Sequence, residues 1–384
     1  MRLRDLGISP GLLTPGRLNA ITDVPGVSVG HVTLVRGDGP LEVGTGPVRT
    51  GVTVVLPRDG DVGREPVFAG AHVLNGNGEL TGLEWVRESG MLTTPIGLTN
   101  THSVGVVRDA LVRASVAASA GGAGARWSLP VVGETWDGYL NDVDGQHVRE
   151  EDALAALRTA RGGAVAEGNV GGGTGMKAFG FKAGIGTASR RVETDGAGPF
   201  VVGALVQANF GRRERLTIDG VPVGREITAA EIPGPDRRAT ALRGGSAGGD
   251  GGSIIGVVAT DAPLLPQQCR RLAQRASLGV ARTGGGGEHS SGDLFLAFAT
   301  GNAGLRNEDD PAAPGVHALR MLNDDRIDML FWATIEAVEE AIYNSLIGAE
   351  TMTGIDGTTF HALPHDRLLE VMDRYGRGPA PAKP

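Results

Sequence analysis

Gly252 and Ser253 form the junction of this chain at which a covalent reaction is most readily built. Gly248-Gly249-Asp250-Gly251-Gly252 runs directly into Ser253-Ile254-Ile255-Gly256-Val257-Val258, so a serine hydroxyl stands between a glycine-rich linker and an apolar run. Glycine tolerates backbone angles closed to other residues, which lets the Gly252 carbonyl be held in a strained, attackable geometry. A Ser253 hydroxyl that cuts the Gly252–Ser253 bond becomes the first side chain of a new polypeptide. Its free α-amine, with an ordinary pKa near 8, is then a candidate general base within the same residue. The chemistry this implies is self-processing followed by amide hydrolysis.

The serine needs a rigid frame. The 384 residues are 40% hydrophobic and 21% charged, enough for a large core and against general disorder. Gly51–Pro57, Leu129–Val132, Phe200–Val206, Ile254–Ala259 and Leu294–Ala299 read as strands. Helices are expected over Ser103–Ala120, with Val104, Val107, Leu111 and Ala114 on one face, and over Pro266–Leu278. The clearest helix spans about Asp325–Ile347, where Ile327, Phe331, Ile335, Val338, Ile342 and Leu346 keep helical spacing. Buried strands and helices on both sides of the linker predict stacked sheets covered by helices. Residues 233–252 lose the apolar pattern and read as a processing linker, and 376–384 as a flexible tail. The 63 glycines follow no G-X-Y period, which excludes a collagen-like chain and points to tight turns and close backbone approaches.

Several function classes fall away. Aromatic residues are 4% of the chain, net charge is −8 and no basic run stands out, so a nucleic-acid partner is not expected. No apolar run reaches the length of a membrane span, and the N-terminus lacks an export-type apolar region; a soluble cytoplasmic protein is expected. The single cysteine, Cys269, excludes an intramolecular disulfide and reads as a core residue. No zinc spacing appears among the eight histidines, and Pro364 breaks the pair His361 and His365; neither metal nor cofactor is expected. Gly244-Gly-Ser-Ala-Gly248 matches a nucleophile-elbow pattern but lacks the flanking strand and helix, leaving Ser246 a linker residue. Gly171-Gly-Gly-Thr-Gly-Met-Lys177 lacks the P-loop ending and reads as a packed structural or site-lining turn.

Longer motifs carry a resemblance. They include Leu18–His31, Asn75-Gly-Asn-Gly-Glu79, Thr99–Asp109, Pro130–Asp142, Glu167–Met176, Leu205–Arg213, Ser253-Ile-Ile, Ala259–Leu264 and Ser290–Phe298. In this order, over nearly the whole chain, they resemble the DmpA family of self-processing aminopeptidases, the L-aminopeptidase/D-esterase and β-peptidyl aminopeptidase group. The resemblance implies an α+β fold, a four-layer αββα sandwich like that of the Ntn hydrolases and the ornithine acetyltransferases. It implies one catalytic domain over 1–384, cut into an α chain 1–252 and a β chain 253–384 that stay together, and a homo-oligomer, a tetramer of αβ pairs. It places the nucleophile at Ser253, a second serine at Ser291 and the oxyanion-hole amide at Asn209. Tyr139 falls on a tyrosine that contacts the nucleophile. Asp293 stands where the β-peptide-cleaving members carry a glutamate, so its task is open between orienting Ser291 and holding the substrate's ammonium. Trp136 and Asn75 are expected to line the substrate pocket.

The expected activity is release of N-terminal residues from small peptides, amides or esters through an acyl-enzyme on Ser253. Two alternatives use the same residues differently. One is an acyltransferase or specialised amidohydrolase for a pantetheine- or ornithine-type substrate. The other is a non-catalytic protein whose glycine loops hold an anion.

Overall fold

The structure is a computed structural model that describes residues 1–119, 127–234, 252–306 and 313–379. Two sheets lie face to face. The smaller has the order β1 (Ser28–Arg36), β2 (Val48–Leu56), β5 (Ile96–Asn100), β6 (Val131–Thr135). The larger has the order β4 (Met91–Leu92), β3 (Val67–Gly76), β12 (Gly292–Ala299), β11 (Ser253–Thr260), β10 (Gly198–Asn209), β9 (Ile185–Thr194). A small hairpin, β7 (Lys177–Ala178) with β8 (Phe181–Lys182), sits between them in the chain.

Strand alternation divides the apolar residues among three layers of core. Val55, Leu98, Leu205, Ile255, Val257, Leu294 and Phe298 fill the space between the sheets. Ile254, Val258, Val206 and Phe295 face the opposite way and meet Cys269, Leu272, Val338 and Ile342. Those last four come from two helices, Pro266–Arg282 and Asp328–Ile347. Val52, Val54 and Val132 meet Val107, Leu111 and Ala156 from the helices Val104–Ser119 and Glu150–Thr159. The result is the αββα sandwich. Some of the glycine excess has a direct cause here: a Cβ on Gly186 of β9 would lie 1.9 Å from the Ala341 carbonyl, so only glycine lets the long helix seat on that strand.

The expected strands exist, with boundaries that differ in an informative way. The strand expected at Leu129–Val132 is β6 and begins after Pro130, which has no amide to donate. It continues through the polar Glu134 and Thr135, paired with Thr99 and Asn100. The helix expected over Asp325–Ile347 begins at Asp328, after a short 3-10 turn. The helix at Pro266 runs to Arg282, and the one expected over Ser103–Ala120 spans Val104–Ser119, with Ala120 outside the described residues. Strands β1, β3, β5 and β9, and the short β4, β7 and β8, were not among the expected elements. Ser246, most of the linker (235–251) and the end of the tail (380–384) lie outside the described residues. In the described part of the tail Arg377 is exposed, pairs with Asp219 at 3.6 Å, and its amide donates to Met372 O.

Candidate active site

Ser253 opens β11, the strand between antiparallel β10 and parallel β12. All eight residues of β11 are buried, so the hydroxyl projects from a rigid central strand. Register sets Asn209, the last residue of β10, directly opposite Ser253. The Ser253 Oγ accepts a hydrogen bond from the Gly292 amide at 3.1 Å. Gly252 is seated against β10: a Cβ there would come within 1.7 Å of the Asn209 carbonyl oxygen. Glycine is therefore required before the serine by close approach to the neighbouring strand.

The Asn209 side chain is oriented at both ends. Its Oδ1 accepts from the Lys177 amide at 3.1 Å, and its Nδ2 donates to the Trp136 carbonyl at 2.9 Å. The Gly171–Lys177 turn thus ends on a direct contact with the Asn209 side chain. Trp136 is half-buried, with its ring edge-on to His102 at 5.5 Å. Tyr139 follows on the same segment. Its ring packs edge-on against Phe360, with Lys177 Nζ 5.6 Å from the ring centre.

Ser291 and Asp293 flank Gly292. The Ser291 hydroxyl donates to Asp293 Oδ1 at 2.6 Å. Burial pushes the Asp293 carboxyl up to about 6, against the pull of the bonds from Ser291 and the Ile254 backbone. The carboxylate at this position is thus engaged with Ser291. Asn75 is paired with Asp293 across β3 and β12, and its Nδ2 donates to the carbonyls of Gly287 and Glu288. It pins that turn beside β12.

A further carboxylate escaped the sequence reading. Glu134, on β6 of the other sheet, is buried, with Oε1 accepting from the Glu79 amide at 3.0 Å and Oε2 from the Thr101 hydroxyl. Burial holds it above the usual carboxylate range; Thr101, the Glu79 backbone and His102 lower it, and the Glu79 charge raises it. Gly78 is packed closely between the two: a Cβ on it would lie 3.0 Å from Glu134 Oε1 and 3.2 Å from Gly292 Cα. Glu134 therefore lies close to the residue that bonds Ser253. Its signal was an acid at the end of an apolar strand, inside a motif already singled out. Gly78 also borders a pocket of about 530 Å³ lined by Leu80, Leu83, Trp85, Leu129 and Leu294 and, on its charged side, by Glu79, Glu84 and Arg87.

Among the described residues no group of three His, Cys, Asp or Glu is placed to hold a metal, and no helix is long and apolar enough to cross a membrane. Cys269 is buried and its thiol is pushed far up by burial, as suits a core residue.

The profile of peptidase family S58 matches residues 19–360. The chain belongs to this family. It is an aminopeptidase, a hydrolase of peptide bonds. The β-peptidyl aminopeptidase BapA of Sphingosinicella microcystinivorans is 50% identical over 378 residues, covering 98% of this chain and 93% of that protein. A β-aminopeptidase from Burkholderia sp. superposes with a TM-score of 0.88 at 53% identity, over 98% of this chain and 99% of that one. The L-aminopeptidase D-Ala-esterase/amidase of Ochrobactrum anthropi, described as a variant of the Ntn hydrolase fold, gives 0.88 at 43% identity over the same shares. These likenesses agree with the family resemblance of the motifs and do not favour the acyltransferase alternative.

Proposed function

We propose that the chain cuts itself between Gly252 and Ser253 and that Ser253 then releases N-terminal residues from small peptides, amides or esters. The observation that carries this reading is the placement of Ser253 at the head of a buried central strand, with Oγ fixed by the Gly292 amide and Asn209 opposite. In self-cleavage the Oγ attacks the Gly252 carbonyl, the peptide C–N bond breaks, and the Ser253 nitrogen leaves as the new α-amine. Water then hydrolyses the resulting Gly252 ester. In turnover the α-amine takes the Oγ proton as the Oγ attacks the substrate carbonyl, and the leaving amine departs with a proton. Asn209 Nδ2 stabilises the oxyanion, and water hydrolyses the acyl-enzyme. Asp293 accepts from Ser291 and so orients that hydroxyl beside the nucleophile. The two fragments stay together for a topological reason: β11 and β12, from the fragment starting at Ser253, lie between β10 and β3 of the other.

Glu134 is a second candidate for the substrate's ammonium beside Asp293. Both carboxyls are held by neutral donors, Asp293 by Ser291 and Glu134 by Thr101 and the Glu79 amide, and burial raises both, so a bound ammonium would supply a full counter-charge to either. The apolar side of the neighbouring pocket, formed by Leu80, Leu83, Trp85, Leu129 and Leu294, would take the side chain of the N-terminal residue. Relatives named for β-peptides place β-amino N-terminal residues among the substrates to be tried. A cytoplasmic location and assembly into tetramers of αβ pairs belong to the same reading; the assembly is read by mass photometry.

The test is the intact mass of the purified protein beside Ser253→Ala, with turnover of L-alanyl and β-alanyl p-nitroanilides. Fragments 1–252 and 253–384 are expected for the wild type, and one inactive full-length chain for the variant. An intact, active wild type, or normal turnover by the variant, overturns the assignment.

A further inference from the structure

Lys182 is fully buried on β8, and its task is not explained by the reaction above. Its Nζ donates to the carbonyls of Met176 and Ala183, each at 2.6 Å, with that of Gly173 at 3.5 Å. The Met176 carbonyl and the Lys177 amide belong to one peptide unit. That amide is the donor to Asn209 Oδ1 at 3.1 Å. A continuous line therefore runs from Lys182 Nζ, through peptide 176–177, into the carboxamide of Asn209. One Nδ2 hydrogen meets the Trp136 carbonyl at 2.9 Å, and the second is available to an oxyanion at Ser253.

We infer that Lys182 is a positioning residue for oxyanion stabilisation, acting through peptide 176–177 on the amide of Asn209. The inference rests on Asn209 being the oxyanion donor. Donation to a peptide carbonyl draws electron density from the peptide nitrogen and strengthens its N–H as a donor, and chained hydrogen bonds reinforce one another by roughly 10–30% per bond. The Lys177 amide in turn polarises the Asn209 carboxamide, so its Nδ2–H becomes a better donor toward developing negative charge. Lys182 also fixes where that donor stands, since its two short bonds tie the carbonyl at the end of the Gly171–Met176 turn to the following strand. A donor aimed before the reaction starts needs no reorganisation when charge appears. An apolar residue would fill this space without the desolvation cost of a buried amine, so its presence calls for a task beyond packing.

The test is a double-mutant cycle on Lys182→Met and Asn209→Ala, scored by kcat and KM and by the rate of self-cleavage followed by mass. Lys182→Met is expected to lower kcat about tenfold with KM unchanged, less than the loss of the donor itself. In the Asn209→Ala background the same change should cost less than about twofold, because the line it feeds is gone. Lys182→Gln, which keeps a shorter N–H donor group, should fall between wild type and Lys182→Met. Equal losses in both backgrounds, or a change confined to KM, overturn the relay. If both Lys182 variants fail to fold while Asn209→Ala folds, the lysine belongs to the fold and the relay is overturned. An Asn209→Ala enzyme with full kcat would instead overturn the oxyanion assignment, and the relay with it.

Discussion

Two buried charged regions of the molecule are built on opposite plans. On β9 and the long helix, Arg190 pairs with Glu336 at 2.9 Å and Glu340 at 2.8 Å, and Arg4 reaches Glu340 at 2.8 Å. Glu336 also accepts from the amides of Leu12 and Leu13. Burial raises the Glu340 carboxyl, but Arg190 and Arg4 outweigh it and bring the group below its ordinary value. Charge there is matched by charge. Around Ser253 the carboxyls are held mainly by neutral donors. Asp293 has Ser291, and Asp137 has Asn100 and Asn141, each at 3.1 Å; burial pushes both up to about 6. Lys182 is held by backbone carbonyls, and burial drives it well below the usual lysine range. A matched region locks the fold. A region of buried groups held short of full compensation is poised to respond to a substrate's charge or proton.

The contrast can be broken from either side. Arg190→Met should cost about 3–5 kcal/mol of stability, because two buried glutamates lose their main partner. The activity per folded molecule should hardly change; denaturant unfolding and active-site titration read the two effects separately. Asn209→Ala should do the reverse, with near-normal stability and kcat lowered about a hundred- to a thousandfold. A smaller effect tests the raised acid. Protonation of the Ser253 α-amine already lowers kcat/KM about tenfold per unit below its pKa; below pH 6 the Asp293 carboxyl is protonated too and ceases to be a full acceptor for Ser291, so the acid limb should steepen toward about a hundredfold per unit. Asp293→Asn should lower the plateau and leave only the tenfold-per-unit slope. The sign for stability is opposite: the folded pKa lies above the ordinary 3.8, so this group's favourable contribution is full below 3.8 and is lost as pH rises through 6. The smallest change is Tyr139→Phe, expected to slow turnover about two- to tenfold, the scale of one hydrogen bond, with the ring still packed on Phe360. A larger loss would give the Tyr139 hydroxyl a direct share in the chemistry.

The sequence by itself determined the nucleophile candidate, the strand behind it and the layered architecture. Ser253 followed by Ile254–Val258 is a local pattern, and a central strand buried on both faces must be written as an unbroken apolar run. The helices at Pro266 and near Asp325 were legible for the same reason, since periodicity records which face is covered. Strand β9 was not, because Arg190 and Arg191 interrupt its apolar character; Arg190 is a core residue only once Glu336 and Glu340 arrive from a helix about 150 positions later. Tertiary structure alone decided what each polar side chain faces. Register put Asn209 opposite Ser253, a parallel strand pairing put Asp293 beside Ile254, and sheet stacking brought Glu134 near Gly292. The physical reason is range. Backbone propensity and amphipathicity act over a few residues and are written locally, whereas a site is made by hydrogen bonds and desolvation between residues far apart in the chain.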